Sequence, residues 1–284
     1  QSEDNRAMIA TVAERYGGLH VLVNNLGFGG LSRRSSESSS GVGIAEFDET
    51  HGFELTSHND GLALTWDAPE GKAYLDLQFI PRRGNNAALP LIREIGINGT
   101  AALSGVDPNY LFWVGDRDLN LRGGWEIFFD RVPTRPYAVE KGYLVPGDVK
   151  ISTDGDRATI VIDGLTSTHF SGSLAFILYH DSPFVHMEAR VSTERPATAF
   201  LYHVGLAKTT VEGHHLEWID SLDTPHSEPI IEETANVYQT RYRSMALTSD
   251  NGSVVISPFP TNISIHSISP TTLVTTGQAT NTWT

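Results

Sequence analysis

From Ile44 onward the chain repeats one pattern: short runs of alternating apolar and polar residues, broken about every ten residues by turn formers. FELTSHNDGLALTWDAPEGKAYLDLQF, DVKISTDGDRATIVIDGL and GSLAFILYHDSPFVHMEARVST all read this way. A period of two sends successive side chains to opposite faces of an extended strand. The breaks are Asn59-Asp60-Gly61, Pro69-Glu70-Gly71, Asp154-Gly155-Asp156 and Asp181-Ser182-Pro183. Gly, Asn and Asp tolerate positive φ, and Pro presets φ, so each break suits a chain reversal. Helical periodicity is almost absent, with a short helix or turn expected at LPLIREI, Leu89 to Ile95. The expected fold is all-β, with stacked antiparallel sheets.

The alternation also sorts side chains by face. In PFVHMEARV, Val185, Met187, Ala189 and Val191 point one way, and His186, Glu188 and Arg190 the other. In AFLYHVGLA, His203 opposes Tyr202 and Val204. In HHLEWID, His214, Leu216, Trp218 and Asp220 share a face.

With 284 residues and 39% hydrophobic composition, one large β-domain or two smaller ones can form a core. The net charge of −14 disfavours phosphate backbones and anionic membranes, so no nucleic-acid partner is expected. It leaves carboxylates free for a hard cation such as Ca²⁺, the one cofactor the sequence points towards. No apolar run approaches the ~18 residues of a membrane-spanning helix. The chain has no cysteine, which excludes disulfides, thiolate zinc and a Cys nucleophile. A secreted or periplasmic location is favoured over a cytoplasmic one.

The first 31 residues differ from the rest. Ala7 to Tyr16 has helical spacing, and Leu19 to Asn25 reads as a short buried strand. The string AERYGGLHVLVNNLGFGG resembles the helix, strand and NNAG segment of short-chain dehydrogenases, with Leu26 where that family has Ala. No Gly-rich cofactor turn precedes it. The string YAVEK, Tyr137 to Lys141, matches that family's Tyr-x-x-x-Lys by chance, in a proline-bearing stretch unsuited to its catalytic helix. Residues 1–31 are therefore expected to be a leader foreign to the fold, residues 32–43 a Ser/Gly-rich linker, and residues 44–284 the β-domain.

Tyr110 to Pro136 concentrates aromatic residues, acids and arginines. That mixture suits a groove for a small-molecule or oligosaccharide ligand: aromatic rings stack on sugar faces, while arginines and acids take the hydroxyls. Trp113, Trp125 and Trp218 are the candidate plates, and Arg117, Arg135, Arg241 and Arg243 the candidate donors.

Glycoside cleavage needs two carboxyl groups about 5–10 Å apart. Asp130, flanked by Phe128 and Phe129, and Glu188, beside His186, are the candidate pair, with His203 as a further polar partner. The competing reading pairs Asp130 with Arg131 or Arg135, and Glu188 with Arg190. Asp116 and Asp118 alternate along GDRDLN and are the candidate Ca²⁺ ligands, although the string lacks the Gly and terminal Glu of a full loop. No Gly-x-Ser-x-Gly elbow occurs.

The run from GLALTWDAPEGKAYLDLQF through GDRDLNLRGGWEIFFDRVPTRP to SVVISPFP resembles a group of uncharacterised bacterial proteins. In size and strand rhythm it is also similar to the antiparallel β-supersandwich of galactose-mutarotase-like domains, found in aldose epimerases, glycoside hydrolases and polysaccharide lyases. The resemblance implies sugar handling by His and carboxylate residues on a concave face, with His186, Glu188 and His203 at similar positions. The expected function is a carbohydrate-active, glycosidase-like hydrolase. A Ca²⁺-assisted hydrolase of a small ester or lactone and a non-catalytic sugar-binding module are the alternatives.

Overall fold

A computed structural model of the chain describes residues 21–25, 42–79, 89–116, 136–208, 213–230, 238, 240–241, 244–258, 267–269 and 272–277. In chain order the strands are β1 Val21–Asn25, β2 Val42–Glu46, β3 Phe53–His58, β4 Gly61–Ala68, β5 Gly71–Gln78, β6 Ile92–Ile97 and β7 Thr100–Asp116. There follow β8 Tyr137–Leu144, β9 Val149–Asp154, β10 Arg157–Thr166, β11 Ser171–Tyr179, β12 Phe184–Ser192 and β13 Thr198–Lys208. The last are β14 His215–Ile219, β15 Pro225–Pro229, β16 Met245–Ser249, β17 Gly252–Pro258, β18 Ser267–Ser269 and β19 Thr272–Gly277. A single 3₁₀ turn, Glu49–His51, is the only helical element among the described residues.

The strands form two sheets. The A sheet runs β15-β14-β16-β17-β1-β12-β11-β10-β9-β2. The B sheet runs β3-β4-β5-β6-β7-β13-β19-β18. Val106 pairs with Ile92 of β6 on one edge and Lys208 of β13 on the other. Farther along β7, β8 takes over the edge that β6 leaves. The end of β8 then joins β10, so this one strand links the two sheets.

The pairing is antiparallel except at β1 and β2. Inward side chains of both sheets merge into one core, including Leu64, Leu75, Phe112 and Val204 from B and Ile160, Phe176, Met187 and Ile256 from A. Each such aliphatic side chain contributes about 1.5–3 kcal/mol when fully buried. The result is an all-β sandwich. The faces read from PFVHMEARV hold: Val185, Met187, Ala189 and Val191 are buried, while His186, Glu188 and Arg190 are partly exposed.

One local expectation is corrected. LPLIREI contains no helix; its second half begins β6. Leu77 pairs with Ile92 and Asp76 with Glu94, so Arg93 is an extra residue that bulges out of the ladder. The bulge lets Ile92 and Ile95 both bury although they stand three apart, a spacing that mimics a helix. It also frees Arg93 to reach Asp60 at 2.9 Å and Asp76 at 3.3 Å.

The corner where β8 crosses between the sheets depends on Gly164. The β10 ladder shifts register between Asp163 and Leu165. Val145 N–H donates to Gly164 O at 3.0 Å, and Gly147 N–H to Asp163 O at 2.9 Å. Gly164 has φ +105°, and a Cβ there would lie 2.0 Å from Val145 O. Gly164→Ala is therefore expected to lower stability by about 1–3 kcal/mol, measured by urea unfolding.

Candidate functional site

The outward face of β8 carries an unusual series. Tyr137, Val139 and Tyr143 are 41%, 57% and 48% exposed, with Lys141 between them. On the inward side Glu140 and Gly142 are buried, so the usual apolar-in, polar-out order is inverted. The outward residues from Tyr137 to Tyr143 span about 20 Å at the rise of an extended strand.

β7 supplies the adjoining row. Phe112 and Val114 are committed to the core, which turns Trp113 outward. Gly115, opposite Tyr137, has no side chain to fill the space between them. Trp113 leans across it and stacks on Tyr137, ring centroids 5.3 Å apart and planes 16° apart. Lys141 Nζ lies 5.7 Å from the centre of the Tyr143 ring. In backbone register Lys141 pairs with Leu111, Leu111 with His203 and His203 with Thr276. The B sheet thus sets an aromatic stack on the face that carries Lys141 and Tyr143.

A buried carboxylate fixes β8 from beneath. Glu140 is 6% exposed and lies beside Phe112 in register. Its Oε1 meets His169 Nδ1, and its Oε2 accepts from Ser167 Oγ at 2.9 Å and His169 N–H at 3.0 Å. Ser167 Oγ in turn accepts from Phe170 N–H at 3.2 Å, and Phe170 stacks on Phe112 at 4.9 Å. Burial alone would raise the Glu140 carboxyl, but the bonds from His169 and Ser167 outweigh it and hold it below its ordinary value. The β10–β11 turn of one sheet is thereby tied to the β8 strand of the other.

The residues expected from sequence fall into separate places. Glu188 lies on β12, on the strand face opposite Met187 and Ala189, between Arg190, whose Nε bonds its Oε1, and His186, whose Nε2 is 3.7 Å from its Oε2. Both partners weighed for Glu188 are therefore present. Burial first, then the charges of Glu188 and Tyr202, push the Tyr110 phenol well up.

Trp113 lies on β7 of the B sheet, on the face opposite Tyr110 and Phe112, and the backbone of His203 lies on β13 of the same sheet.

Trp218 packs with Leu216 and Met245 in a small second core. Its ring is covered by His226, stacked at 4.9 Å, and by Tyr238 at 4.2 Å, so it is a packing residue rather than an open plate. His226 Nε2 lies 2.9 Å from Asp220 Oδ2. That bond, with the Thr224 N–H, holds the Asp220 carboxyl below its ordinary value. Arg241 pairs with Asp223 beside this cluster.

Asp116 pairs with Arg195. Asp118, Arg117, Trp125, Asp130, Arg135 and Arg243 lie outside the described residues. Among the described residues, no group of three His, Asp or Glu side chains is placed to hold a metal ion. No described helix is long and apolar enough to cross a membrane.

Tyr137, Tyr143, Glu140 and His169 were not among the sequence candidates. The signal for them is the inverted alternation of YAVEKGYL, with Tyr, Val and Tyr at one parity and Glu and Gly at the other. YAVEK itself lies on a strand, where Tyr137 and Lys141 share an outward face. Compared with protein-family models and with curated proteins, the chain matches none.

Proposed function

We propose that this chain is a carbohydrate-recognition β-sandwich whose binding surface is the outward face of β7, β8 and β13. The observation that carries the reading is the Trp113–Tyr137 stack on the face that also carries Lys141 and Tyr143. Flat aromatic faces take the C–H faces of a pyranose, and the Lys141 ammonium and the Tyr143 hydroxyl take its hydroxyls. The net charge of −14 favours a neutral glycan over a polyanion. A platform about 20 Å long suits an oligosaccharide better than a monosaccharide. The two-sheet architecture also accommodates the galactose-mutarotase-like supersandwich suggested by the strand rhythm. Calorimetric titration with neutral oligosaccharides of increasing length tests the proposal. Affinity is expected to rise with length until the platform is filled, and the absence of heat with every glycan would end it.

A hydrolytic reading rests on a different observation, the placement of Glu188 between His186 and Arg190. A carboxylate beside an imidazole can work in acid–base chemistry on a glycosidic or ester bond. Glu188→Gln is expected to abolish any oligosaccharide hydrolysis, measured by reducing-end release, while lowering stability by no more than about 1 kcal/mol. A Glu188→Gln variant that hydrolyses at the wild-type rate would remove this reading.

A further inference from the structure

Glu217 is the one buried side chain among the described residues that leaves a polar atom without a partner. It stands in the middle of β14, and its neighbours Leu216 and Trp218 point into the small second core. Alternation therefore turns Glu217 to the opposite face of the A sheet. That face is closed to solvent around it. Glu217 is 9% exposed, Ala246 opposite it in register 6%, and Val255 and Ser253 on the next strand 2% and 6%.

Glu217 Oε1 accepts one long hydrogen bond from Ser227 Oγ, at 3.4 Å across the β14–β15 pair. Glu217 Oε2 accepts none and is shut from solvent. A carboxylate oxygen carries two lone pairs, and burying it unpaired is costly. A native fold seldom keeps such an atom, and a bound ion is one of the occupants that account for it.

The surroundings select the ion. The cross-strand neighbours of Glu217 are neutral, Ser227 on β15 and Ala246 on β16, with the Thr248 hydroxyl one pair farther along. Among the described residues no three His, Asp or Glu side chains come together, so the several charged oxygens that hold a divalent ion are missing. One negative charge beside hydroxyls balances one positive charge. An atom closed to solvent leaves no room for a ligand's ammonium group, whereas a bare sodium ion is smaller than a water molecule. Ser227 is exposed, so solvent lies one strand away from the carboxylate. We infer that Glu217 Oε2 anchors a sodium-binding site on the β14–β15–β16 face of the A sheet, with the Ser227 hydroxyl as a neighbouring oxygen ligand.

Melting curves of the full chain in sodium chloride and in tetramethylammonium chloride, at equal ionic strength, test the site. Screening of the net charge of −14 is then the same in both salts. The wild type is expected to melt several degrees higher in sodium, with a shift that grows with the logarithm of its concentration. Glu217→Gln keeps the size and removes the charge, and its sodium shift is expected to vanish. Equal shifts in the two proteins, or no shift in the wild type, would overturn the site. Sodium-23 line widths of the wild type in excess potassium chloride give a reading that needs no variant to fold. Potassium displaces the loose counter-ions of the acidic surface, so a line that stays broad supports the site. A line as narrow as that of buffer alone would overturn it.

Discussion

Glu140→Ala is expected to destabilise the protein by about 2–4 kcal/mol, more than any other single carboxylate change proposed for this molecule. The carboxylate is buried and receives Ser167 Oγ, His169 N–H and the His169 ring. Its removal leaves the Ser167 hydroxyl and a backbone N–H in the β10–β11 turn without their acceptor. It also cuts the tie between β8 and that turn. For a domain of this size the loss lowers the melting temperature by roughly 5–10 °C, read by calorimetry.

The pH dependence of the same interaction has a definite sign. The folded-state carboxyl is held below its ordinary value, so its contribution is present above the unfolded-state pKa of 4.5. It fades as pH falls through the lower folded-state value. The stability gap between wild type and Glu140→Gln is therefore expected to be full at neutral pH and to close progressively in acid as the pH falls below 4.5. A gap that stays constant from neutral pH into that acid range would contradict this assignment of the carboxylate's role.

Trp113→Ala is the second large effect, and it falls on binding. The indole is half-buried on the B sheet and stacked on Tyr137, so it supplies both a plate and the support for its neighbour. Loss of a central aromatic anchor at an interface costs about 2 kcal/mol, or roughly thirtyfold in affinity. Tyr137→Ala removes the more exposed ring and is expected to weaken binding with little change in melting temperature. Together the two variants separate recognition from folding, since Trp113 is the more buried of the two rings. Equal affinities for wild type and Trp113→Ala in calorimetry would exclude the platform as the binding surface.

Much of the sandwich was legible in the sequence because burial on one face of a strand imposes a period of two. The run from Phe184 to Ser192 states its inward and outward residues openly, and Asn59-Asp60, Pro69-Glu70 and Gly155-Asp156 mark turns that form. The alternation fails where a bulge interrupts it. Arg93 drops out of the ladder, and the apolar spacing on either side of it imitates a helix.

The candidate site was less legible for a different reason. Which strands lie side by side is set by pairing across long stretches of chain: Trp113 meets Val139 on one side and Leu201 on the other. Nothing local to Trp113 encodes that meeting. Glu188 was visible as a carboxylate beside a histidine, because both lie on one strand at a spacing of two. Glu140 and His169 were not, because one stands on β8 and the other in the turn before β11.

The most direct test of the central claim compares wild type with the double variant Tyr137→Ala/Tyr143→Ala on one array of neutral oligosaccharides, with melting curves taken in parallel. Retention of at least one glycan by wild type, its loss in the variant, and melting temperatures that agree within about 2 °C are the predicted results. Binding of the same glycans by both proteins, or by neither, would contradict the assignment of this face.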